Sequence, residues 1–157
     1  MAIQKRKARK LSKIVSARGK KWVVAVDPFS EVDFAGQWGL VKKMADQEGA
    51  RLEAVYILAP SAMNWTGDFS GPWMKKYVPL SEAKMNQILP DQDIRKTVIA
   101  CKDAGLRAAV QALDRHARKV KASCLVLSTH ARKGLERMAL GSFAESLILA
   151  SKIPILI

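Results

Sequence analysis

The stretch STHARKGLERMALGSFAES, residues 128–146, connects an apolar segment to a predicted helix and contains the Gly141-Ser142 pair. The preceding CLVLS, residues 124–128, has the short apolar composition of a buried strand. A helix is predicted for residues 142–151, and the final IPILI has the composition of another strand. Strand, loop, helix and strand in this order are typical of a parallel sheet.

The same alternation extends back to the beginning of the chain. KWVVAV, residues 21–26, is an almost uninterrupted apolar run, as in a strand that is buried on both faces. Further strands are predicted at 52–58 and 96–101, and helices at 33–48, 81–89 and 103–120. The sequence thus predicts an α/β protein with a five-stranded parallel sheet flanked by helices, an open three-layer sandwich. Pro154 cannot donate a ladder hydrogen bond, so the last strand is expected at an edge.

Two segments carry more detailed expectations. Asp103 is predicted to cap the helix 103–120, with Asp114 on its polar face and His116 at the rim of its apolar stripe. Residues 59–80 are predicted to be irregular, because Gly71 and Pro72 interrupt an otherwise helical spacing of aromatic residues. This aromatic segment is either a lid or interface, or a flap that covers one end of the core.

The net charge of +13 is concentrated at the amino terminus, where residues 1–21 carry nine basic residues and no acidic one. We therefore expect a basic arm at 1–20 and one domain at 21–157. A cationic arm attracts nucleic acid or an anionic surface, although a solvated tail has the same composition. Leu11, Ile14 and Val15 also have the spacing of one amphipathic helical face.

Composition and motifs exclude several classes. No apolar run is long enough to span a bilayer, and no secretory signal follows the basic start. Cys101 and Cys124 lack zinc-site spacing. Together these features are what we expect of a cytoplasmic protein. Neither the Rossmann fingerprint nor a P-loop is present, and only His116 and His130 are available as histidines. We therefore expect no strong catalytic centre and at most slow hydrolysis of a bound ligand.

In open parallel sheets, ligands bind beyond the carboxyl ends of the strands. Asp27 follows the first strand, Ile57 lies at the end of the second, and the loop from Ser128 follows the fourth. Gly141-Ser142 begins the last helix, where free N–H groups favour an anion. Ser142 and Glu145 also have the spacing of a capping box, and local sequence does not separate the two roles.

The carboxyl-terminal third resembles the universal stress protein family. Its signature of G-x-x-G, nine residues and G-[ST] aligns with Ser128-Thr129-His130-Ala131, residues 132–140 and Gly141-Ser142-Phe143. VVAVDPFSE at 23–31 and ARLEAVYIL at 50–58 are similar to the first two strands of the family. The resemblance covers about residues 21–157.

The resemblance implies an adenine-nucleotide α-hydrolase-like fold, a homodimer paired through the final edge strand, and a cleft for ATP, with Mg²⁺, in many members. It places the adenine and ribose against Asp27 and Ile57. It assigns the phosphates to the loop and the helix start, through Ser128, Thr129, Ala131, Arg132, Gly141, Ser142 and Phe143.

This chain departs from the signature at Ser128 and Ala131, which replace its two glycines. A Cβ at Ala131 obstructs a phosphate if the backbone must approach closely, whereas an N–H there can still donate. Two functions therefore remain open. One is a nucleotide-responsive stress protein, and the other is an interaction module that binds no nucleotide and acts through its arm or aromatic segment.

Overall fold

The structure, a computed structural model, describes residues 19–30, 34–59, 71–103, 105–127 and 142–157. Within these ranges, five strands alternate with four helices. The strands are β1 (Lys21–Ala25), β2 (Arg51–Leu58), β3 (Arg95–Ala100), β4 (Cys124–Leu127) and β5 (Ile155–Leu156). The helices are α1 (Phe34–Gln47), α2 (Gly71–Ile88), α3 (Leu106–Lys119) and α4 (Ser142–Ala150).

All five strands form one parallel sheet in the order β3-β2-β1-β4-β5. The predicted α/β fold is therefore confirmed, and so is the edge position of β5, although Pro154 lies just before the strand and its carbonyl accepts the Leu125 N–H of β4. Strands β1 and β4 are adjacent although α1, β2, α2, β3 and α3 separate them in sequence. The chain thus reverses its direction of travel across the sheet between these two strands, which is where open parallel sheets form their ligand crevice.

Side chains that alternate along the strands supply two separate cores. On one face, Trp22 and Val24 of β1 pack with α1 and α2, and on the other Val23 packs with α3 and α4. The largest buried side chains on the two faces include Met85 of α2 and Leu113 of α3, both fully buried. This distribution explains the uninterrupted apolar run of β1, because a central strand between two helical layers has no solvent-facing side.

The prediction of an irregular segment followed by a short helix at 81–89 is wrong for the residues described. Helix α2 begins at Gly71 and continues for 18 residues to Ile88. Pro72 fits because the first turn of a helix needs no N–H donor from it. Pro79 lies inside the helix, where it removes one backbone hydrogen bond. Residues 60–70, with the rest of the predicted aromatic lid, lie outside the described residues.

The predictions for the start and polar face of α3 are also wrong. The residue before the helix is Gly105, which has no side chain, and Asp103 makes no cap. Asp114 is only 3% exposed and pairs with Arg118, one turn later. The pattern of polar residues misplaced it because the long Arg118 side chain reaches back over the helix and supplies a partner.

Helices α1 and α3 end with the same backbone motif. After α1, Gly49 has φ +62° and Ala50 donates its N–H to Ala45 O at 2.8 Å. After α3, Lys121 has φ 56° and Ala122 donates to Ala117 O at 2.8 Å. Both are Schellman endings, in which a left-handed residue satisfies the last carbonyl groups. Glycine is the usual residue there, so Gly49 suits its position and Lys121 carries backbone strain.

No helix within the described ranges combines the length and apolar character needed to cross a bilayer.

Candidate functional site

The turn after β1 holds Asp27 at the carboxyl edge of the sheet. Its side chain is exposed, and its Oδ1 accepts the N–H of Phe29 at 3.0 Å. Its carbonyl accepts the N–H of Ser30 at 3.2 Å. One carboxylate oxygen thus shapes the turn, as aspartate often does. Oδ2 makes no hydrogen bond to any residue that the structure describes, so it remains available to a ligand donor.

An aromatic contact fixes this turn to the neighbouring strand. The ring of Phe29 meets Tyr56 of β2 edge to face, with 5.8 Å between ring centroids. Burial raises the pKa of Tyr56 far above its usual range, and the charge of Asp27 adds to the rise. The hydroxyl is therefore neutral at every physiological pH, and the Asp27 carboxylate lies beside a largely apolar wall.

The structure brings two of the predicted site residues together in one small apolar cluster. Ile57, near the end of β2, and Phe143, in the first turn of α4, both pack against Ala59, Cys101 and Ala109. The carboxyl end of β2 is thereby tied to the beginning of α4 and to α3. An apolar surface at the end of β2 and a helix N-terminus thus lie side by side.

Ser142 is the first residue of α4 and is exposed. Gly141, the residue before it, lies outside the described residues, so the capping-box alternative stays open. Glu145, in the first turn, is exposed as well. Ser142 therefore lies at the N-terminus of α4, where the first N–H groups of a helix favour an anion.

The remaining predicted site residues lie outside the described residues. These are Ser128, Thr129, Ala131, Arg132 and Gly141, and the same holds for His130 and the basic arm before Gly19. The predictions about the phosphate loop and the arm therefore stay predictions.

Sequence reasoning missed a buried polar cluster at the opposite, amino-terminal edge of the sheet. Glu53 is 1% exposed, and its Oε1 accepts the Thr97 hydroxyl at 2.9 Å and contacts His116 Nε2 at 2.9 Å. Lys21 and Arg95, the first residues of β1 and β3, approach the same carboxylate at 3.7 and 3.5 Å. The sequence did contain a signal for this cluster. Glu53 lies two residues before Val55 on the same strand, so its side chain points into the same core.

This cluster has the character of a structural clamp. It joins β1, β2, β3 and α3 through one carboxylate, far from the strand ends that carry Asp27 and Ile57. Within the described part of the chain, no group of three or more histidine, cysteine, aspartate and glutamate side chains could hold a metal ion.

A parallel sheet with the order β3-β2-β1-β4-β5 defines an open α/β protein, a class in which ligands bind beyond the carboxyl ends of the strands. The universal stress protein family model matches residues 19–157, and the chain belongs to that family. No match was found among curated proteins.

Solved structures share the fold at low identity. A universal stress protein from Archaeoglobus fulgidus is 16% identical, with a TM-score of 0.63 over 87% of this chain and 96% of that one. The Archaeoglobus fulgidus protein in complex with dAMP gives 18% identity and a TM-score of 0.51, over 87% and 95% of the chains. A universal stress protein in complex with cAMP is 20% identical, with a TM-score of 0.50 over 88% of this chain and 94% of that one.

Proposed function

We propose that this protein is a stress-response module that binds an adenine nucleotide, ATP with Mg²⁺ or a related molecule, at the carboxyl edge of its sheet. The observation that carries the proposal is the apolar cluster that holds both Ile57, near the end of β2, and Phe143, in the first turn of α4. Asp27 follows β1, the strand next to β2, and so belongs to the same edge of the sheet. Relatives of the same fold are known in complex with dAMP and cAMP, which supports an adenine nucleotide as the ligand class.

The base and ribose would lie against the β1 and β2 side of the crevice. The free Oδ2 of Asp27 accepts a hydrogen bond from the exocyclic amine or a ribose hydroxyl, and the half-buried Ile57 offers an apolar surface to the base. The turn stays rigid during binding, because the other oxygen of Asp27 already holds the Phe29 N–H.

The phosphates would lie at the start of α4. Ser142 offers its hydroxyl, and the first N–H groups of the helix attract negative charge. We further propose that Ser128, Thr129, Ala131, Arg132 and Gly141 complete the phosphate site, with Arg132 as its cation. We place the protein in the cytoplasm and assign it no more than slow hydrolysis of the nucleotide.

Nucleotide binding is tested first by denaturing the purified protein and chromatographing the released small molecules. Isothermal titration with ATP–Mg²⁺, AMP and cAMP then compares the wild type with Asp27→Asn. Asparagine keeps an acceptor for the Phe29 N–H but loses the charge, so we expect binding weaker by about 10- to 100-fold, the value of one charge-assisted hydrogen bond. Asp46→Asn, an exposed change on α1, is the matched control and should bind as the wild type does.

Absence of bound nucleotide, together with no titration heat and no thermal shift, would overturn the proposal. Equal affinity in Asp27→Asn and the wild type would instead remove Asp27 from the site while leaving a nucleotide elsewhere.

A second proposal concerns assembly as a homodimer through β5. A mainly apolar groove of about 360 Å³ follows α1 above β4 and β5, with Trp38, Leu40 and Ile157 among its lining residues. Leu40 is 60% exposed and Ile157 is 50% exposed. Large apolar side chains beside an edge strand favour burial against a second copy.

Light scattering coupled to size exclusion tests the dimer directly. The wild type should have twice the mass of one chain, and Leu40→Glu/Ile157→Glu should be monomeric with an unchanged circular dichroism spectrum. A monomeric wild type at high concentration, with and without ATP, would refute this second proposal.

A further inference from the structure

The other edge of the sheet, formed by β3, has hydrogen-bonding groups that no described residue uses. Cys101 donates its N–H to Leu58 O at 2.9 Å, which fixes the direction of the backbone groups along β3. Successive residues of a strand direct these groups to opposite sides. Lys96, Val98 and Ala100 therefore present their N–H and C=O groups to the open edge.

A basic groove follows this edge between β3 and α3. It has a volume of about 380 Å³ and extends along α3 from Ala108 to Lys119. Lys102, Arg115 and Lys119 line it, and Asp103 is the one carboxylate among the described lining residues. None of the three cations pairs with a carboxylate among the residues that the structure describes. The groove thus combines free backbone donors and acceptors with a surplus of positive charge.

We propose that this groove binds an acidic peptide segment in an extended conformation, which adds to the sheet as a strand beside β3. The new strand would lie about 4.8 Å from β3 and form main-chain hydrogen bonds with it. Alternate side chains of the peptide would then face α3, where Arg115 and Lys119 lie one turn apart. Glutamate or aspartate at these positions meets unpaired cations, and this charge complementarity defines the class of partner.

The lining of the groove favours a peptide over a single-stranded nucleic acid. Among the described residues that line it there is no tryptophan, tyrosine or phenylalanine, and the imidazole of His116 is only 13% exposed and is paired with Glu53. The row of free N–H and C=O groups, by contrast, is what an extended peptide backbone requires. No residue that we assign to the nucleotide lines the groove, so this site is independent of the proposed crevice.

Fluorescence anisotropy tests the proposal with a fluorescein-labelled peptide of alternating glutamate and valine, about eight residues long to match an ordinary strand. We expect Arg115→Glu/Lys119→Glu to weaken binding by about tenfold or more, because two attractive contacts become repulsive. Lys43→Glu/Lys75→Glu makes the same change in net charge on the opposite face of the sheet, and its affinity for the peptide should fall little. A peptide of alternating lysine and valine should not bind.

The backbone contribution is tested by Ala100→Pro. Proline removes an N–H that points to the open edge, a position at which edge strands tolerate it. We expect affinity to fall several-fold while all three groove cations remain. If this variant does not fold, amide exchange in the wild type replaces it, and the peptide should then protect Val98 and Ala100.

Three results would overturn the proposal. Equal losses in the two charge-reversed variants would mean that net charge, and not the groove, attracts the peptide. Unchanged binding by a folded Ala100→Pro, or no protection of Val98 and Ala100, would exclude strand addition. Displacement of the peptide by oligothymidylate, with equal affinity for wild type and Ala100→Pro, would mean that the groove is a nucleic-acid site.

Discussion

Removing the buried carboxylate of Glu53 should destabilise the fold far more than removing an exposed carboxylate in a comparable ion pair. In Glu53→Ala, the Thr97 hydroxyl and His116 Nε2 each lose a partner at 2.9 Å. A neutral hydrogen bond contributes about 1 kcal/mol and one to a carboxylate about 1.5 to 3 kcal/mol. With the cavity left by the side chain, the free energy of unfolding should fall by about 3 to 5 kcal/mol.

The assay is urea unfolding at neutral pH, followed by circular dichroism. Glu48→Ala is the matched control, because Glu48 also pairs with a lysine, Lys20, but both side chains are more than half exposed. Solvent screens such a pair, so its removal should change stability little. Glu53→Gln keeps the shape of the side chain and one acceptor oxygen, so its loss of stability should lie between those of Glu53→Ala and Glu48→Ala.

A loss in Glu53→Ala no larger than that in Glu48→Ala would refute the reasoning. It would mean that the cost of burying the carboxylate offsets its contacts with Thr97, His116, Lys21 and Arg95.

Three further changes test other parts of the structure. Lys121→Gly should raise the free energy of unfolding by about 1 kcal/mol, because it relieves a left-handed backbone at φ 56°, and thermal unfolding measures this. Pro79→Ala should raise the free energy of unfolding by about 1 to 3 kcal/mol, because it restores an N–H donor inside α2, and urea unfolding measures this. Hydrogen bonds from Lys42 and then Trp38 lower the pKa of Asp91 below its ordinary 3.8. The ionised Asp91 therefore stabilises the fold above pH 3.8, and this stabilisation is lost as the pH falls through the lower pKa of the folded state. Asp91→Asn should thus be less stable than the wild type at neutral pH and approach its stability in acid.

The strands were predictable because their signal is local. An apolar run such as KWVVAV has only one stable place in a parallel sheet, between two layers of helices. The edge position of β5 was predicted correctly from Pro154, although the proline precedes the strand. The approach of Asp27 and Ile57 to the same sheet edge followed in turn, since the carboxyl ends of parallel strands share that edge.

The wrong or missed predictions have three different causes. The pattern of α3 assigned Asp114 to solvent, because periodicity cannot show that Arg118 covers it. Gly71 and Pro72 look like a break, although the first turn of a helix accommodates both. Glu53 was missed because a lone glutamate in an apolar strand gains its meaning only from Thr97 and His116, more than forty residues away.

The two edges of the sheet differ in chemistry, and this difference limits how many chains can join. If two copies pair through β5, the continuous sheet has ten strands and ends at both sides on β3. Those outer edges carry Arg95 and Lys96, so the edge of one dimer repels that of the next. Growth would therefore stop at two chains, and the assembly would be closed instead of becoming a filament.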